Sequence, residues 1–133
     1  MKEIYAYNKK LRVRHITAQI RQMVEILIKN SQNDNKDYKF SDEIFYFDDG
    51  KMGSFGFVYE SNEYIGGGKY ISDIEFYDID GILCVATMFA YDNNFVDSVD
   101  IWKVDFSPLI KIPINENDFF IPNTNKERPL NRN

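Results

Sequence analysis

The residues in this chain whose types and spacing could do chemistry are mostly carboxylates. Their densest arrangement is Asp48-Asp49-Gly50-Lys51-Met52-Gly53-Ser54, which holds two acids, two glycines and a serine. Paired carboxylates could ligate a hard cation, and backbone N–H groups beside glycines could hold an anion. The spacing departs from the D-x-D-x-D-G pattern of calcium loops, and no later glutamate stands where the bidentate ligand belongs. A tight turn whose glycines take positive φ accounts for the same residues, so no metal is expected.

The other candidates are weaker. Gly66-Gly67-Gly68-Lys69 lacks the earlier glycine of a phosphate loop, and Tyr70 stands where Ser or Thr should follow the lysine. His15, the one histidine, has no assignable partner for acid–base work and is expected at the surface. Cys84, the one cysteine, lies in the apolar run ILCVATMFA, where a thiol behaves as a small buried hydrophobe. One Cys and one His also exclude a disulfide scaffold and a Cys/His zinc site. No catalytic residue and no cofactor is therefore expected. A hydrolase using Asp48, Asp49, Asp100 and Asp105 is the remaining enzymatic arrangement, and their spacing gives it no pattern.

Charge is more informative. The 133 residues carry a net charge of −5, unevenly spread. Residues 1–30 hold seven basic against two acidic side chains, and residues 31–108 hold five against sixteen. An acidic middle argues against nucleic acid, which needs a basic face. It suits a basic protein partner, attracted by steering. Carboxylates on loops and strand ends are the exposed ones, which nominates Asp48, Asp49, Asp92, Asp97 and Asp100 as partner-binding residues. No apolar run approaches ~20 residues and the first residues lack a signal-peptide centre, so no membrane contact and a cytoplasmic location are expected.

These side chains need a scaffold, and the pattern predicts a single α+β domain. Thr17 can cap a helix over 17–30, because Ile20, Met23, Val24, Leu27 and Ile28 recur at three- and four-residue spacing. Arg21 and Glu25 would pair on its outer face. Five strands follow at 43–47, 55–60, 70–79, 82–91 and 95–106, separated by turn signals such as Asp80-Gly81. Short turns between them predict an antiparallel meander with the helix packed on one face. In the last strand apolar residues fall on both parities, which implies either two covered faces or a bulge near Val99. All four prolines fall after Phe106, so the sheet ends there and 109–114 runs extended over the body. The ordered body is expected over about 11–122, with a flexible tail at 123–133.

Core positions are expected at Ile20, Val24, Leu27, Val85 and Trp102. Trp102 admits two readings: a large plug between sheet and helix, or an anchor for a partner among Asp100 and Asp105.

The stretch Asp48 to Phe55 resembles the D-G-G-M-G-S-hydrophobic segment of DUF6984, a family of small bacterial proteins. Asp100-Ile101-Trp102-Lys103-Val104-Asp105-Phe106-Ser107-Pro108-Leu109 resembles that family's D-I-W-K-x-D-F-S-P-L ending. Lys51 stands where the family pattern has a second glycine. The resemblance covers roughly residues 11–112 and implies the helix and sheet, with no established activity attached. Small size, acidity and the missing catalytic constellation then favour a non-enzymatic protein-binding module. An immunity protein that neutralises a cognate bacterial toxin is the specific expectation. The alternative is a small-ligand-binding or structural domain.

Overall fold

The computed structural model describes residues 2–31 and 37–122. The expected flexible tail, 123–133, lies outside the described residues, as does most of the polar run after the helix. The chain is α+β. Strands β1 (Glu3–Ala6) and β2 (Lys9–Arg12) form a hairpin, and β3 (Arg14–His15) leads into helix α1 (Ala18–Lys29). Then come β4 (Glu43–Tyr46), β5 (Phe55–Phe57), β6 (Lys69–Tyr77), β7 (Leu83–Ala90), β8 (Val96–Lys103) and β9 (Phe119–Phe120).

The helix begins as its sequence requires. Thr17 Oγ1 accepts from Ile20 N at 3.1 Å, and Ile20, Met23, Val24, Ile26 and Leu27 form the buried stripe. Arg21 does not turn to Glu25 but reaches Asp42 at 2.6 Å, off the helix. No described helix is long and apolar enough to cross a membrane.

The five expected strands are all present as β4 to β8, but they do not form a meander. Among the described residues the antiparallel sheet has seven strands in the order β3-β4-β5-β8-β7-β6-β9, beside the separate β1–β2 pair. β8 therefore slots between β5 and β7, and β6 lies on the far side of its own hairpin partner. The residues 58–68 carry the chain across to start β6 there. β1, β2, β3 and β9 were not anticipated: two of them are two residues long, and β2 (KKLR) is largely exposed.

Each face of the sheet has its own cover. On one face α1 packs over Phe55, Phe57, Ile74, Phe76, Cys84, Ala86, Met88, Val99 and Ile101, the main core. On the other, the hairpin residues Ile4 and Ala6 join Val13, Phe45 and Val58 in a smaller core. Gly56 allows this second layer to close, since a Cβ there would meet the Phe45 ring at 2.6 Å. The expected plug is not one: Trp102 is 43% exposed and Val85 only half-buried. The cause is a bulge at Asp97. Ala90 pairs with Val96 and Phe89 with Ser98, so the phase flips between them. Val96, Val99 and Ile101 all face the helix, and Asp100 and Trp102 are turned to the opposite side.

Candidate functional site

The two stretches that carry the family resemblance meet in space. Ser54 Oγ donates to Ile101 O at 3.2 Å and accepts from Ile101 N at 2.8 Å. It also lies 3.3 Å from Asp100 Oδ1. Leu109 N donates to Lys51 O at 2.9 Å, and the Leu109 side chain fills the space that a Cβ on Gly53 would enter, 2.8 Å away. The Asp48–Ser54 loop is held from within by Asp49, whose carboxylate accepts from Met52 N and Ser54 N, each at 3.1 Å. Lys51 takes φ +65°, the left-handed region in which glycine is at ease. The turn reading of this loop is thus the one its geometry supports.

This junction puts Asp49 and Asp100 beside the face of the sheet opposite α1. Along that face Val85 pairs with Trp102, Thr87 with Asp100 and Phe89 with Ser98. On the neighbouring strand Asp73 stands opposite Thr87. Trp102 and Phe106 lie with ring centroids 6.2 Å apart, and Phe106 is 69% exposed at the end of the strand. Between Asp49, Asp100 and the Tyr64 ring is a cleft of about 370 Å³. Burial pushes the Asp100 carboxyl above its usual range, against the Ser54 hydrogen bond and with the Asp49 charge adding to the rise. Among the described residues no Lys, Arg or His lies within ion-pair distance of Asp49, Asp73 or Asp100.

The nominated acids are divided. Asp49, Asp97 and Asp100 line the one cleft. Asp97 was expected to be exposed and is buried instead. Its Oδ1 accepts from the Tyr64 and Tyr91 hydroxyls and its Oδ2 from Gly68 N at 2.7 Å, so its lone pairs are used within the fold. As the extra residue of the bulge, its side chain turns inward to tie down the glycine run. A Cβ on Gly68 would come 2.6 Å from that carboxylate, which explains the third glycine. Asp48 is exposed and paired with Lys9 at 2.6 Å, whose ammonium holds its carboxyl below the usual range. Asp92 is exposed at the β7–β8 turn, 3.2 Å from Lys69, away from the cleft. His15 is exposed, with Nδ1 3.0 Å from Asp42 O. Cys84 is fully buried, and burial pushes its thiol up to about 12.

One cluster escaped the sequence reading. Lys103 is fully buried on the helix-facing side of β8 and binds Asp78 at 2.8 Å, Asp80 at 2.6 Å and Pro108 O at 3.1 Å. Asp78 also accepts from the amides of Ile79, Ile110 and Lys111. Burial works to raise the Asp78 carboxyl, but Lys103 and these amides outweigh it and hold it low. The signal was present, since Lys103 shares the parity of Val99 and Ile101. The cluster fixes the exit of the chain from β8, and with it the positions of Trp102 and Phe106.

Fold and site together define a small α+β domain that presents an acidic, aromatic sheet face. The chain belongs to the family described as a domain of unknown function, DUF6984, whose sequence profile matches residues 13–113. That span takes in β3 to β8, α1 and both motif stretches and leaves the β1–β2 hairpin and β9 outside. No curated protein and no solved structure matches the chain.

Proposed function

We propose that this protein is a non-enzymatic binding module that takes a basic protein partner on the sheet face around Trp102, as an inhibitor of the immunity type would. The observation that carries this reading is the exposed Trp102–Phe106 pair standing beside Asp100 and Asp49, acids with no cation against them among the described residues. Large aromatic side chains supply contact area at low entropic cost, and Trp is the residue most enriched among interface hot spots. Carboxylates left without a partner attract a basic surface and speed its approach. The reading keeps Asp49 and Asp100 from the nominated acids as contact residues, assigns Asp97 a structural role, and leaves Asp48 and Asp92 to neighbouring surface.

The test is capture with the full chain as bait in an extract of its native host, run in parallel with Trp102→Ala and with Asp100→Lys. A partner that is basic, is lost with either variant and is released by added salt supports the proposal. A partner retained by both variants sinks the site, and one indifferent to salt sinks the electrostatic mechanism.

A further inference from the structure

Tyr64 lines a second and larger groove, of about 960 Å³, within the roughly 300–1,000 Å³ range of small-molecule sites. Its accessible apolar surface comes from Phe95, from the half-buried rings of Tyr59, Tyr64 and Tyr91, and from Ile65, at 82% exposure on the lip, while the buried Ile4, Phe57 and Val58 lie beneath as its floor. The rings on its wall are held by their hydroxyls. Tyr59 donates to Val96 O at 2.6 Å, and Tyr64 and Tyr91 both donate to the buried Asp97. Burial above all raises the three phenols, so they remain neutral hydrogen-bond donors. The groove is therefore pre-formed rather than assembled on binding.

Its charge has one sign. Glu43, Glu60, Glu63 and Asp92 line it, and no Lys, Arg or His among the described residues does. Two of the four are already matched, Glu43 by Lys2 at 2.7 Å and Asp92 by Lys69 at 3.2 Å. Glu60 and Glu63 have no ion-pair partner among the described residues. Both belong to the loop between β5 and β6, three residues apart in sequence, so the unmatched charge comes from one segment of the lining.

We propose that this groove binds an amphipathic organic cation: an aliphatic or aromatic body lying on Phe95, Ile65 and the rings of Tyr59, Tyr64 and Tyr91, and one ammonium or guanidinium head at Glu60 and Glu63. Neutral tyrosine faces add attraction for the cation. Unmatched charge from one segment favours a small molecule over an extended basic peptide, which would need acids at intervals. The groove includes neither Trp102 nor Asp100, so this site and the protein-binding face can fail separately.

The experiment titrates the isotope-labelled full chain with 4-phenylbutylammonium, the matched alcohol 4-phenylbutan-1-ol, and the matched anion 4-phenylbutanoate, following backbone amide shifts. The amine is expected to bind saturably with shifts at residues 58–66 and 91–95. The alcohol should bind about tenfold more weakly, as lost charge-assisted contacts imply, and the anion more weakly still. Replacing both acids, Glu60→Gln and Glu63→Gln, should cut the amine's affinity by about tenfold without moving the alcohol's, because both side chains are exposed. Equal binding of amine and alcohol, an unchanged affinity in the double variant, or shifts centred elsewhere would overturn the proposal. A hexalysine peptide that outcompetes the amine at the same residues would overturn it in favour of a basic segment.

Discussion

The Ser54 hydroxyl is clamped between the amide and the carbonyl of Ile101, accepting at 2.8 Å and donating at 3.2 Å. One side chain thus takes the place of a strand residue and ties the Asp49 loop to β8. Ser54 is buried, so Ser54→Ala leaves both Ile101 backbone groups without partners or water. The expected loss is about 1–3 kcal/mol, the desolvation cost of an unmet buried polar group. Urea unfolding of the variant against the parent measures it, and an unchanged midpoint would mean water reaches the junction.

Lys51→Gly should act in the opposite direction. The residue is exposed, in the left-handed region at φ +65°, where a β-carbon is strained. Removing it should stabilise the fold by about 0.5–1 kcal/mol, after subtracting the extra freedom glycine has when unfolded. Gly53→Ala is the control. It combines φ +98° with a Cβ 2.8 Å from Leu109 and should lower the melting temperature.

Asp78 gives the pH dependence. Its carboxyl is held below the usual value, so the stability it contributes is present above about pH 3.9, the unfolded carboxyl value, and is lost as pH falls through the lower folded one. Asp78→Asn leaves the buried Lys103 charge with Asp80 and the Pro108 carbonyl in place of two carboxylates and should cost about 3–5 kcal/mol near neutrality. The gap between parent and variant should be full from pH 5 to 7 and narrow below about pH 4. Denaturation midpoints at pH 7 and pH 3 read it out. A gap of constant size would deny the carboxylate its role.

Trp102→Ala should be far milder than a core truncation. At 43% exposure its removal is expected to cost about 1 kcal/mol or less, against about 3–5 kcal/mol for a buried aromatic. The same variant is expected to lose the partner, so stability and binding separate in one protein. A large drop in melting temperature would return Trp102 to the core.

Helix α1 was legible because every device agreed: the Thr17 cap, the apolar stripe and the polar exit. Strands β4 to β8 were legible because alternation and turn residues mark where each begins and ends. Gly81, at φ +83°, confirms the Asp80-Gly81 turn. Strand order was not legible, since an apolar pattern says which face a residue occupies and nothing about which strand lies beside it. The mixed parity of 95–106 pointed to two covered faces or a bulge near Val99, and the bulge is there, at Asp97. The burial of Trp102 was misread because the pattern did not decide between the two, and the bulge reverses the parity of everything after it. Asp49 and Asp100 could be named as acids. Their nearness could not, because it depends on Ser54 reaching a strand far along the chain.

The insertion of β8 between β5 and β7 also orders the events of folding. β6, β7 and β8 follow one another through short turns and pair locally, at little cost in chain entropy. β5 is different, since its neighbour on that side is β8, through Phe55 with Val99 and Gly56 with Ser98. A chain growing from its N-terminus makes β5 long before it makes that partner, so one edge of β5 waits open. The sheet can be completed only when the late three-stranded unit docks through β8, a long-range step that should dominate the folding rate.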